Sequence, residues 1–268
     1  MLDPLERIAA ALDRLAPPPP TDDDPLAHPA YVWRSGALVA ARAFTPLPLD
    51  LMMCVDKQKQ ALVENVRRLA AGAASQDVLL WGARGTGKSA LVKSAVGAVQ
   101  AEGGSIALVE VVGLDDLPRL FARIGLVSRS FALFCDDIGF DSPAEARTLR
   151  SLLEGGAEAR PTNVRLIVTA NRRHLVTRDI AEQDSAINPR DSIDDQLALA
   201  DRFGLSLGFH ALDQDGYCAI VAAYAARYDL PFDALEAVNW ATRRGSRSGR
   251  VAWQYVTELA GRAGRSLR

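Results

Sequence analysis

Apolar residues at Leu5, Ile8, Leu12 and Leu15 recur at the spacing of one helix face, predicting a helix over 2–15. Four prolines, Pro17 to Pro20, cannot continue it and predict an extended spacer, followed by polar turn material at 21–25. Residues 31–50 have a mixed pattern ending in a Pro-containing connector, and a helix is predicted from 57 to about 71. From Val78 the rhythm changes. Short uninterrupted apolar runs at 78–81, 106–111, 131–135, 164–169 and 205–209 alternate with mostly helical segments. Runs of this kind are buried on both faces, which predicts a parallel sheet between two helical layers. After Ala211 no strand signal remains, and 214–228, 232–243 and 249–262 read as three helices. The expected organisation is an N-terminal helix with a Pro-rich arm (1–45), an α/β domain (46–211) and a small helical domain (212–268). The arm is placed against the body, against a neighbouring subunit, or only loosely attached.

Composition narrows this picture without redirecting it. The chain has 268 residues, 49% hydrophobic and 24% charged, enough for a core in one large domain or a medium and a small one. Thirty-one basic and 33 acidic residues give a net charge of −2, which excludes a strongly basic coat for nucleic acid but not a local basic patch. No apolar run free of charge exceeds about eleven residues, too short for a transmembrane helix, and the acids near the N-terminus are unlike a signal peptide. Three scattered cysteines without a CxxC point to a reducing cytoplasm rather than a disulfide framework. His28, His174 and His210 lack metal-ligand spacing.

The strongest local signal is GARGTGKS, Gly82 to Ser89, between an apolar run and a helical segment. It matches G-x-x-x-x-G-K-[ST] at every fixed position. Gly82, Gly85 and Gly87 let the backbone turn its N–H groups toward phosphate oxygens; Ala83, Arg84, Thr86 and Ala90 lie on the same turn. Lys88 would reach the β- and γ-phosphates, and the Ser89 hydroxyl would ligate Mg²⁺. In FALFCDDIGFD a strand ends in acids. Asp136 is expected to hold the metal and Asp137 to polarise the attacking water, with Asp141 as the reserve base. Cys135 reads as a small core residue, and Trp81, Trp240 and Trp253 as packing residues.

Three further polar positions follow the same logic. Asn171, at the end of VRLIVTAN, is placed to bind the attacking water or the γ-phosphate, and the adjacent Arg172 and Arg173 are left to a subunit contact, a polyanion or solvent. Arg202, in ADRFGLSL, is the candidate to approach the γ-phosphate of an adjacent protomer, against an ion pair with Asp201. In RRGSRSGRVAWQ either Arg247 or Arg250 would reach from the helical domain to the nucleotide; a polyanion contact is the competing use of this cluster.

Together these residues resemble the AAA+ group of P-loop ATPases, and VLLWGARGTGKSALVK, FALFCDDIGFD, NRRHL, ADRFGLSLGF and GSRSGRVAWQ resemble a bacterial AAA+ family of unknown function. The likeness runs from about Leu51 to Ala260. It implies a five-stranded parallel sheet of order 5-1-4-3-2 with a helical lid. It also implies ATP and Mg²⁺ as cofactors and assembly into a ring or open ring, hexamer-like, because the Arg202 finger acts in trans. Asn171 becomes the first sensor and Arg247 or Arg250 the second. Many relatives carry Glu at the second acid, where Asp137 is one methylene shorter, and Glu where Asp141 stands. No NKxD element for guanine is present, and Phe121 is the only aromatic between 111 and 130, which disfavours peptide threading. The functions expected are an ATP hydrolase remodelling a protein or nucleic-acid target, a nucleotide-gated assembly switch with slow hydrolysis, or a DNA-associated ATPase of the helicase-loader kind, with no membrane role.

Overall fold

The computed structural model describes residues 3–15, 21–114, 116–138, 143–154, 160–171 and 201–267. Helix α1 (Pro4–Leu15) precedes a β-hairpin, β1 (Ala30–Arg34) and β2 (Ala37–Ala40). Then follow α2 (Asp56–Ala70), β3 (Val78–Gly82), α3 (Lys88–Ala101), β4 (Ile106–Val111), α4 (Leu117–Ile124), β5 (Ser130–Cys135), α5 (Pro143–Glu154), β6 (Val164–Asn171) and β7 (Leu205–Phe209). Three helices close the described chain: α6 (Gln214–Arg227), α7 (Ala234–Arg243) and α8 (Gly249–Arg262). No helix among the described residues is long and apolar enough to cross a membrane.

The sheet corrects the expected strand count and order. Among the described residues it has seven strands rather than five, in the order β2-β1-β4-β5-β6-β3-β7. The additional two come from 30–40, assigned above to the N-terminal arm and a mixed region. Strand β1 runs parallel to β4, and β2 returns antiparallel at the edge. The remaining five are mutually parallel and lie β7-β3-β6-β5-β4, so numbered among themselves they read 5-1-4-3-2. The hairpin turn is Ser35-Gly36, both with positive φ (50° and 72°), the two-residue turn whose twist matches paired strands.

Alternation along the parallel strands feeds two cores. Leu79, Val109, Leu133 and Val168 face one layer, with Leu117, Leu120 and Ile124 of α4 and Leu149 of α5. Leu80, Leu108, Phe134 and Ile167 face the other, against Leu62, Val66 and Leu69 of α2 and Leu91, Val92 and Val96 of α3. A third core joins α6, α7 and α8 through Tyr217, Val221, Tyr255 and Val256, and takes in Leu51 from the connector before α2.

The aspartates at 22–24, read from sequence as turn material, seal the outer edge of β2. Asp22 Oδ1 accepts from Leu38 N (2.6 Å), Asp23 Oδ2 accepts from Ala40 N (2.7 Å), and Asp23 N donates to Leu38 O (2.8 Å). An open edge strand is a template for pairing with another chain, and charge at the edge suppresses that. The Asp22→Ala/Asp23→Ala double variant is therefore expected to lose about 2–4 kcal/mol of stability and to self-associate. Urea unfolding and light scattering check this; a monodisperse variant with the wild-type midpoint would contradict the sealing role.

Candidate active site

The carboxyl ends of β3, β5 and β6 bring most of the sequence candidates into one cleft of about 550 Å³. Residues 84–90, Asp136, Asp137, Asn171 and Arg250 line it. Gly82 and Ala83 lie at the root of the loop. Gly82 has φ +132°, and a Cβ there would lie 1.9 Å from Phe209 O on β7, so only glycine lets the two backbones approach. Ala83 N then donates to that same carbonyl (3.1 Å). The loop ends at Gly87, in the left-handed region (φ 95°), where no side chain caps the first N–H groups of α3. An uncapped N-terminus of a 14-residue helix presents donors and a positive dipole end to an anion.

Lys88, only 7% exposed, folds back so that Nζ donates to Gly82 O (2.8 Å) and Ala83 O (2.9 Å). Burial pushes its pKa below the ordinary lysine value; Asp137 and Asp136 oppose this, and Arg84 and Arg250 add to it. A buried ammonium held by two neutral carbonyls has capacity for an anion. Beside it, Ser89 Oγ donates to Asp136 Oδ1 (2.7 Å). Uncapped helix, buried ammonium and hydroxyl–carboxylate pair form a donor set that fits a polyphosphate with a divalent cation. Lys88 and the loop N–H groups would hold the phosphates, and Ser89 and Asp136 the cation.

Asp137 adopts positive φ (51°), turning sharply away from β5. Asn171 Nδ2 donates to Asp137 Oδ1, and Arg84 approaches its Oδ2 at 3.7 Å with both side chains exposed. Of the two candidate arginines, Arg250 lines the cleft and Arg247 does not. The start of α8 rests on the loop: Arg250 N donates to Gly85 O (3.4 Å), and a Cβ on Gly85 would lie 3.0 Å from Ser248 Oγ.

Arg202 is half-buried and does not line this cleft. It precedes β7, and β7 pairs with β3 in parallel, Leu205 with Val78 and Phe209 with Gly82. About 16 Å of strand therefore separates it from the phosphate loop. Within one chain it stands at the opposite end of the sheet. Asp141, Arg172 and Arg173 lie outside the described residues.

Sequence reading missed several lining residues. Thr169 is the chief one, a hydroxyl in an apolar strand two positions before Asn171 and hence on the same face, a period-two signal that was available. The cleft also has apolar lining residues: Leu51, Met52 and Met53 from the connector, Ile220 and Tyr224 from α6, and Trp253 from α8. Trp253 packs edge-on against Tyr224 (centroids 5.2 Å) and also lines the cleft. Its spacing marked only the packing role. Burial pushes the Cys135 thiol up to about 12, as befits an inert core residue.

The lowered Lys88 pKa carries a pH consequence. Below the folded value both folded and unfolded chains hold the proton and the burial cost is present in full. Between that value and 10.5 the unfolded chain binds more protons, so stability rises with pH. Lys88→Met removes the group, and the stability of wild type relative to this variant is expected to improve toward pH 10.5 and then level off. Denaturant midpoints across the alkaline range check this; a pH-independent difference would contradict it.

A family model described as "Protein of unknown function (DUF815)" matches residues 26–263. No curated protein matches the chain. Among solved structures, the RuvB Holliday junction branch migration motor of Thermotoga maritima is 18% identical, with a TM-score of 0.52 over 82% of this chain and 67% of that one. A variant of the same protein reaches 20% and 0.54 over the same shares. The Aeropyrum pernix ORC1 protein in complex with DNA is 16% identical, with a TM-score of 0.53 over 81% of this chain and 63% of that one. These likenesses show the fold, that of the AAA+ P-loop ATPases. The chain belongs to the family described as a protein of unknown function, DUF815.

Proposed function

We propose that this protein is a Mg²⁺-dependent ATP hydrolase that works as a ring or open ring of identical subunits and remodels a macromolecular partner. One observation carries the reading: the phosphate loop, Ser89, Asp136, Asp137, Asn171 and Arg250 meet in one cleft that also has apolar lining residues. The apolar lining suits a purine, and the loop suits its phosphates. When bound, Mg²⁺ neutralises charge on the phosphate oxygens. Lys88 binds the phosphates, Ser89 and Asp136 orient around the cation, and Asn171 holds Asp137 at the side where water would attack. Arg250 links the lid to the nucleotide. The division into an α/β domain and a lid at about 211 belongs to this proposal, since the cleft lies between them and would close as they approach.

The position of Arg202 supports a trans role. At the far end of its own sheet it cannot serve its own cleft, and a neighbouring subunit can present it to the next. A second reading, a nucleotide-gated assembly switch with slow hydrolysis, draws on the Asp137 carboxylate, which is shorter than glutamate and already engaged by Asn171. For the partner, RuvB as a branch migration motor and ORC1 in complex with DNA make nucleic acid a candidate beside protein. The exposed Arg243, Arg244 and Arg247 offer a local contact whose binding would fall steeply with salt.

Lys88→Ala is expected to abolish ATP binding by calorimetry. Arg202→Ala should keep binding and lose about 10³-fold or more in turnover. Wild-type turnover per subunit should rise with protein concentration, and mixing Arg202→Ala with Asp137→Asn should restore a fraction of activity, because some interfaces then pair intact halves. Concentration-independent turnover by a monomer, or no rescue, would remove the trans role. Assembly on ATP with turnover below about one per minute, unchanged by any partner, would favour the switch.

A further inference from the structure

One hydroxyl ties both candidate carboxylates to the neighbouring strand. Thr169 is 1% exposed, in the middle of the apolar run of β6. Its Oγ1 donates to Asp136 Oδ1 (2.6 Å) and accepts from Asp137 N (2.8 Å), and its carbonyl accepts from Ile138 N (3.0 Å). The regular pairing of β5 with β6 reaches Cys135 and Val168. One residue later a side chain takes over the ladder's role, where the backbone departs into the left-handed turn at Asp137. The proton order is determined: donation to the carboxylate leaves a lone pair on Oγ1 for the Asp137 amide.

We propose that Thr169 is the positioning residue of the carboxylate pair, its hydroxyl fixing the Asp136 oxygen that faces Ser89 and the turn that aims Asp137. This rests on the ATP-hydrolase reading above. Ser89 and Thr169 donate to the same oxygen, but they differ in situation. Both line the cleft, but the Ser89 hydroxyl is the one suited to the cation, whereas the Thr169 hydroxyl, 1% exposed within the sheet, is committed to Asp136 Oδ1 and Asp137 N. It keeps Asp136 oriented when Ser89 turns toward the cation. Arginine or lysine could not do this without adding charge to a buried strand, and valine has the shape without the donor.

The test uses the full chain with Thr169→Val and Thr169→Ser, and Thr169→Ala in place of the valine variant should that not fold. Mn²⁺ binding to the ATP complex is read by electron paramagnetic resonance, ATP affinity without divalent cation by calorimetry, and kcat and KM by steady-state turnover. Thr169→Val is expected to leave metal-free ATP affinity within about two-fold and to weaken Mn²⁺ binding about 10–100-fold, the range for partners of metal ligands. Its kcat should fall without a rise in the KM for ATP, and Thr169→Ser should restore both Mn²⁺ affinity and kcat to within about three-fold. Wild-type Mn²⁺ affinity in the valine variant, or a serine variant as impaired as valine, overturns the proposal while leaving the ATP-hydrolase reading intact. A wild-type chain that binds no Mg·ATP overturns both.

Discussion

The cleft end of this fold converges on a single carboxylate oxygen. Asp136 Oδ1 receives hydroxyls from Ser89, at the start of α3, and from Thr169, within β6. It joins the phosphate loop, the strand that carries the acids and the strand that carries Asn171. Hydrogen bonds to an ionised acceptor are roughly twice as strong as neutral ones, so this junction is also among the firmest polar contacts in the cleft. Thr86 Oγ1 donates to Ala83 O (2.8 Å) and Lys88 Nζ to Gly82 O and Ala83 O within the loop. The junction supplies a fixed point beside it, and the approach of Gly82 to β7 supplies another.

The three C-terminal helices meet the same loop by backbone rather than by long side chains. The start of α8 touches Gly85, and the connector at 51–53 belongs at once to the cleft wall and, through Leu51, to the core of the three C-terminal helices. Lys59 holds that connector by donating to Leu49 O (3.3 Å) and Met52 O (3.2 Å). Any shift of these helices would therefore carry the connector's apolar cleft residues as well as Arg250.

What could be read from sequence follows from what each signal measures. The five parallel strands were legible because burial on both faces leaves uninterrupted apolar runs, as in VLLW and FALFC. The phosphate loop was legible because its backbone path permits few residue types. Strands β1 and β2 were not seen, although Ser35-Gly36 between AYVWR and ALVA is a hairpin signal; β1 ends in the exposed Arg34 and the edge strand β2 is buried only in its first half, so neither leaves a long apolar run. The choice between Arg247 and Arg250 needed the direction in which the first turn of α8 points, which spacing alone does not give. Thr169 was hidden because a β-branched residue inside a β-strand satisfies propensity and attracts no notice.

The aspartate cover over β2 governs how copies of this chain can meet. At the other end of the sheet, Gln58 Nε2 donates to Gly208 O (2.8 Å), so an outward carbonyl of β7 is also occupied. With the β2 edge sealed and a carbonyl of β7 occupied, strand addition is disfavoured at both ends of the sheet, and copies of this chain would meet through side chains. Contacts of that type form and part without backbone rearrangement.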